Sequence, residues 1–400
     1  MRRVISVLIS LSALLVTSVA APSAAVADGT TLYVAYGAPL DSGPGTSCSD
    51  PGYRSEDQAA LVNALGDTVE GDTVRICSGE YTYTGDGYNS SLPDDVSIIG
   101  DGAGATILNG DDTYFLLAIS STTGLTIRGI TFSRGRDSYG SALYLYETQA
   151  TIINCEFLEN TAEHTGEDYG GAGIYVYDDS DVTVINSRFE GNVADDESAG
   201  AAINIYTDPG THATLRVERS SFIGNQAGQG PAIYIDDTDD SLDQVSEIIL
   251  INNSFVNNVN TNPNPAAADG GAVAFEHTNG NLTMSGNLFR GNSGANFGGA
   301  VEIWDVTGSI VVERNTFYSN TAGEGGALWI DVRSGVQGIK RNVFQRNVAA
   351  DAGGAIAFEC ETRSSRSILR SLQGSNRFRS NRAGNRRTAD IFASEYGCVD

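Results

Sequence analysis

The chain has 400 residues, with 24 Lys and Arg against 50 Asp and Glu and a net charge of −26. So acidic a surface repels phosphate backbones over most of its length and excludes a general nucleic-acid binder. Its length leaves room for two ordinary domains, but an uninterrupted internal repeat argues for one elongated body.

Arg2-Arg3, an apolar run from Val4 to Val16 and small residues ending in Ala25-Val26-Ala27 read as a cleavable signal peptide over residues 1–27. The run is short of a bilayer span and no second one follows, so the mature chain is expected to be secreted, without a membrane span and monomeric. Residues 28–110 lack the later repeat and read as an N-terminal cap with the first coils. Within them Ser55 and Gln58 form a capping-box pattern, opening a short helix through Ala60 and Val62 to Leu65. Such a helix would cover the open end of a solenoid, which otherwise exposes core and strand edge. Cys48 and Cys77 bracket this cap, and in an exported chain they are expected to be bonded.

From residue 111 to 383 one pattern repeats. Phe stands at 132, 157, 189, 222, 255, 289, 317, 344 and 378, at spacings of 25 to 34 residues. From Phe157 onward an Asn follows three residues later, as in Phe157 to Asn160 and Phe317 to Asn320. Gly-Gly recurs at 170, 270, 298, 325 and 353, with weaker copies at Gly140-Ser141, Gly200-Ala201 and Gly230-Pro231. Each repeat holds about three short strands and cannot bury its apolar side alone, so successive copies must stack around a shared core. Residues five and seven before Phe (Val184 and Val182, Val217 and Leu215, Val312 and Ile310) are apolar and expected inside, by the period of two of a half-buried strand. Two before Phe stand Cys155, Ser187, Ser220, Asn253, Asn287, Asn315, Asn342 and Asn376. Parity places them inside at a corner, where amides must bond one another and the turn backbone. The fold class is therefore all-β, a right-handed parallel β-helix of about ten coils. Residues 384–400 form a C-terminal cap, expected to be stapled by Cys360 and Cys398. That leaves Cys155 as a buried, inert thiol.

With its Phe-x-x-Asn and Gly-Gly-Ala repeats over roughly residues 125 to 383, the chain resembles secreted right-handed parallel β-helix proteins of the pectin-lyase-like kind, in particular chlamydial polymorphic outer-membrane proteins. The resemblance implies a β-helical stalk on or shed from a cell surface, often adhesive. Those proteins end in an exporting membrane β-barrel, and no segment of that length follows Asp390 here.

Parallel β-helices also carry pectate lyases and polygalacturonases, so catalysis has to be tested by residue. Similar enzymes carry Gly-His-Gly and a nearby Arg-Ile-Lys. The three histidines here, His164, His212 and His277, stand in other contexts, and Gly338-Ile-Lys-Arg lacks its partners. The acidic run Asp236, Asp237, Asp239, Asp240 and Asp243 has no adjacent base. It reads as a solvated loop, with weak Ca²⁺ binding between Asp236 and Asp243 as the alternative and no other cofactor expected.

The strand after each Gly-Gly-Ala carries a stronger pattern. Its outward positions read Tyr144 and Tyr146, Tyr175 and Tyr177, Tyr206, Tyr234, Glu276, Glu302 and Trp304, then Trp329 and Asp331. Stacked coils make these a continuous row of rings passing into carboxylates. Such a row suits a sugar or a partner surface, or else stabilises the sheet by cross-strand packing. Charge is polarised as well: residues 28–332 hold 10 Arg against 44 acidic residues, and residues 333–387 hold 12 basic against 3 acidic. The Arg cluster is either solvated surface or a dock for an anionic envelope polymer. The reading favoured is a secreted or surface-exposed, non-catalytic, adhesin-like protein that binds a polysaccharide or cell-surface component. A polysaccharide lyase or glycoside hydrolase on the same face is the alternative, and a structural envelope spacer the third.

Overall fold

The computed structural model describes residues 29–163, 170–196, 198–237, 246–264, 270–278, 280–306, 308–332, 338–360, 365–384 and 390–393. Strands stack coil upon coil into three long sheets of 13, 11 and 11 strands, with two short sheets of 5 and 3. Pairing between coils is parallel throughout, as in Phe157 on Phe189 and Val182 on Leu215.

One coil shows how the sequence folds. Ser180–Ile185 alternates and buries Val182 and Val184. Asn186 then turns left-handed (φ 49°), Arg188–Glu190 follows with Phe189 inside, and Gly191 (φ 63°) turns the chain again. Val193–Ala194 and Ile203–Thr207 close the circuit. Each left-handed residue shifts the inside-outside alternation by one, so the residue two before Phe and the residue three after it both face the core.

Beside the buried Val, Leu and Ile of the strands, three columns run along that core. Nine Phe rings, from Phe132 to Phe378, stack face to face; Phe157 and Phe189, for example, lie 4.7 Å apart at 3°. The corner column before Phe behaves as parity required: Ser187 Oγ accepts the Cys155 N–H (3.2 Å), and Asn315 Oδ1 accepts the Asn287 N–H (2.8 Å). The third column is Asn160, Asn192, Asn225, Asn258, Asn292, Asn320, Asn347 and Asn381, buried from end to end. Asn258 Oδ1 accepts both the backbone N–H (3.1 Å) and the side-chain N–H (2.9 Å) of Asn225. Its own Nδ2 donates to Phe222 O (3.1 Å) and to Asn292 Oδ1 (3.0 Å). Every hydrogen-bonding site of the amide is used, which is what a dry amide needs.

At the N-terminal end the helix α1 (Ala59–Gly66) buries Ala60, Leu61, Ala64 and Leu65 over the first coils. It starts later than the capping-box pattern implied. Ser55 Oγ accepts the Ala60 N–H (3.0 Å), but the Gln58 amide turns away to accept the Thr84 N–H of a neighbouring coil (3.0 Å). An antiparallel hairpin of Leu40–Ser47 and Asp50–Ser55, absent from the sequence reading, extends the first sheet's edge. Cys48 and Cys77 are bonded and Cys155 is free and buried, both as expected. Near the C-terminus a second helix, α2 (Ser365–Ser375), was also unforeseen; Leu372 is buried, and its carbonyl accepts from Asn376 Nδ2 (2.9 Å). The proposed Cys360–Cys398 bond falls outside the described residues: Cys398 is not described, and of Cys360 only the backbone is.

Two outcomes follow for folding. Phe255→Ala should cost about 3–5 kcal/mol by opening a cavity in the stack. Asn258→Ala removes far less volume, yet it leaves the Asn225 N–H and Phe222 carbonyl dry and should cost about 2–4 kcal/mol; denaturant midpoints compare the two. Burial holds the Cys155 thiol up at about 11 against its usual 9.0. An alkylating reagent at pH 8 should therefore modify it only after unfolding. Its contribution to stability is intact below the unfolded-state value and is lost as pH rises through about 11.

Candidate functional site on the third sheet

The third sheet aligns its outward residues in the columns read from sequence. One runs Tyr144, Tyr175, Asn204, Tyr234, Ala274, Glu302, Trp329 and Ala357, and the other begins Tyr146, Tyr177, Tyr206, Asp236, Glu276, Trp304. The register is as expected and the exposure is not. Tyr175 and Tyr234 are 5% exposed, Trp329 3%, Glu302 1% and Asn204 0%.

The cause is the segment that precedes each strand. It turns through a left-handed Gly, such as Gly140 (φ 52°) or Gly200 (φ 58°), and folds back onto the first outward column. A Cβ on Gly140 would come within 2.8 Å of Tyr144 Cβ, and one on Gly200 within 2.8 Å of Asn204 Cβ, so the repeated Gly is what permits the contact. Rings from these segments then cover the column: Tyr139 lies 5.7 Å from Tyr175, Phe297 lies 4.7 Å from Trp329, and Ala199 packs with Tyr234 and Ala274. Glu276 and Asp331, in the outer positions, are buried too. The continuous solvent-facing row expected from parity is therefore corrected: Tyr175, Tyr234, Glu276, Glu302, Trp329 and Asp331 belong to the packed structure. Tyr144, Tyr146, Tyr177, Tyr206 and Trp304 remain half-exposed.

Those that remain form an ordered surface. Tyr146 and Tyr177 stack at 5.5 Å, and Tyr177 and Tyr206 at 6.0 Å, on three consecutive coils. Carboxylates that the sequence reading did not single out line their edge. Tyr177 Oη donates to Asp208 Oδ2 (2.7 Å), and Asp178 Oδ1 accepts the Asp208 N–H (3.0 Å) and the Thr211 hydroxyl (2.9 Å). Glu147 takes the Ser121 hydroxyl, and Asp179 holds the His212 ring nitrogen at 2.9 Å. Their signal in the sequence was position: Glu147 and Asp178 directly follow the last Tyr of their strands, and both turn left-handed at the corner. Electrostatics follow the geometry. Burial, then the charge of Asp178, pushes Tyr144 up to about 12. The hydrogen bond to Asp208, then burial, raises Tyr177, so these phenols stay protonated donors at neutral pH.

No strand of this sheet carries Lys or Arg. Of the acidic run from Asp236 to Asp243, residues 238–245 lie outside the described residues, as do His164 and the side chain of His277. Among the described residues no helix is long and apolar enough to cross a membrane.

Stacked parallel coils with paired interior columns define a parallel β-helix. The chain belongs to the right handed beta helix region family, whose pattern matches residues 95–317. No curated protein matches it. Among solved structures, one described as a new PL6 alginate lyase complex with trisaccharide is similar at 13% identity and a TM-score of 0.33, covering 92% of this chain and 86% of that one.

The two Trp residues test the division of the columns. In single-Trp variants Trp304, retained in W329F, should be quenched readily by acrylamide, and Trp329, retained in W304F, should resist. Trp329→Ala should cost about 3–5 kcal/mol and Trp304→Ala clearly less.

Proposed function

We propose that this chain is an exported, non-catalytic binding protein that holds a carbohydrate or cell-envelope partner along Tyr146, Tyr177 and Tyr206, with Trp304 farther along the same face. One observation carries this reading: three half-exposed rings stacked at 5.5 and 6.0 Å on consecutive coils. Rings with apolar faces and protonated hydroxyl edges suit sugar rings, and a stack repeating with the coil suits a ligand that itself repeats. The signal-peptide pattern and the resemblance to adhesive β-helical stalks support export and surface exposure.

The enzyme alternative asks for more. Glycoside hydrolysis uses two carboxyl groups flanking one bond, one of them held protonated, whereas Asp208 and Asp178 are engaged as acceptors of Tyr177, Thr211 and a backbone N–H. His212 is likewise tied to Asp179.

Incubating the mature protein with insoluble plant, fungal and bacterial polysaccharides decides between them. Retention with no new reducing or unsaturated ends is expected, and a Y146A/Y177A variant should lose most of that retention while melting near the wild-type temperature. Release of oligosaccharides would establish the enzyme instead.

A further inference from the structure

Most body arginines of this chain are paired, Arg54, Arg128 and Arg290 standing singly and apart, whereas those described in the C-terminal coils are without a carboxylate and clustered. Along the body Arg75 pairs with Asp101, Arg136 with Glu163, Arg188 with Glu190 and Arg216 with Glu218. At the C-terminal end Arg341, Arg377, Arg379 and Arg382 are exposed and hold no carboxylate among the described residues. Their backbone is nonetheless firmly placed. Phe378 stacks on Phe344 at 5.2 Å, and Asn381 Oδ1 accepts the Asn347 N–H at 3.0 Å. Arg377 and Arg379 therefore point outward on either side of an inward Phe, and Arg382 follows an inward Asn. One coil earlier, Arg346 is oriented by Tyr318: Nη1 donates to its hydroxyl at 2.7 Å, and the guanidinium sits 5.7 Å over the ring. Arg341 occupies the left-handed corner on the other side of the same strand. Five guanidinium groups thus share the outer surface of two adjacent coils, about 4.8 Å apart.

We infer that this surface docks a polyanion bearing phosphate groups. Unpaired like charges at this density repel one another, and among the described residues no carboxylate supplies the counter-charge for this patch. Protecting the open strand edge accounts for charge there, but charge of either sign would serve. It leaves unexplained why an acidic chain places basic charge there, all but Lys340 of it Arg. A single exposed ion pair is weak, so a small carboxylate would not be held. A polymer neutralises several groups at once and gains from released counterions. The planar guanidinium fork matches two phosphate oxygens. A second copy of this chain is the competing partner, since its body exposes carboxylates such as Asp181 and Glu247; these stand singly on the surface, whereas a phosphate polymer presents closely spaced charges to all five guanidinium groups.

The test uses the full mature chain and inorganic polyphosphate at low salt. Binding is expected, weakened about tenfold or more in R377Q/R379Q/R382Q, with the slope of log affinity against log salt reduced by about 2. R188Q, altering a body arginine, should bind as the wild type does. Melting curves confirm that the triple variant folds, and R379Q alone, with a smaller loss, serves if it does not. Equal binding by the triple variant overturns the proposal, as does equally tight binding of polygalacturonate, which would assign the patch to carboxylates. Polymer-free, concentration-dependent self-association that the triple variant abolishes would assign it to a second copy and overturn it as well.

Discussion

Every coil of this protein must turn corners between three long sheets around a core that water does not reach, and the corner peptides on either side of Phe cannot be left without partners. The two amide columns meet that constraint. In the column after Phe each Asn accepts from the coil before it, donates to the coil after it and also bonds the carbonyl of a Phe, so the ladder ties neighbouring coils through side chain and main chain together. The corner residues themselves are held left-handed, several of them not Gly: Asn186, Arg219, Asn257, Arg314 and Ser319. A left-handed L-residue costs roughly 1–2 kcal/mol, and the ladder bonds offset that strain coil by coil. They reinforce a register that the Phe stack itself favours, because a slip of one residue would carry each ring to the solvent side.

The same repeat decides which surface is left for other molecules. Gly-Gly-Ala brings backbone down over the first outward column of the third sheet, close enough that any side chain at Gly140 or Gly200 would collide with the strand beneath. Large residues in that column, Tyr175, Tyr234 and Trp329, become packing for the segments above them. Two residues along the strand the covering ends, and Tyr146, Tyr177, Tyr206 and Trp304 reach the surface. Packed and half-exposed rings are thus mostly divided by a single step of strand periodicity, with Tyr144 half-exposed in the first column and Glu276 and Asp331 buried in the second.

Legibility in the sequence follows the range of the interaction concerned. Period-two alternation is local, so the inward Val182 and Val184, the Phe stack, the corner column through Cys155 and the register of the outward columns could be read directly. The inward turn of Asn160 and its equivalents could not, because simple parity places the residue three after Phe outside, and only the left-handed residue between them reverses it. Burial of Trp329 depends on Phe297, which arrives from the preceding coil; alternation within one strand says nothing about what lies above it. The helix α2 did carry a signal, Ile368, Leu369 and Leu372 at helical spacing, but it lay among repeats of strand period and broke their rhythm. Gln58 fits a capping box by spacing alone, yet its amide has a better partner in Thr84, a contact between coils that the local pattern cannot show.

Charge completes the division. Along the body, carboxylates pair most of the Arg, and the strands of the third sheet carry no Lys or Arg; burial and the neighbouring Asp178 and Asp208 keep its phenols protonated, so they present donors beside acceptor carboxylates. A surface of that kind meets neutral or amino-bearing rings without repulsion and disfavours dense anions. The terminal coils invert both sign and pairing. Because coupling in a solenoid passes mainly between neighbouring coils, the third-sheet surface and the terminal Arg surface can change independently: a substitution at Tyr177 leaves Arg379 untouched, and the reverse holds. One rod can therefore carry two surfaces of opposite electrostatic preference, so long as the Asn ladders between them remain intact.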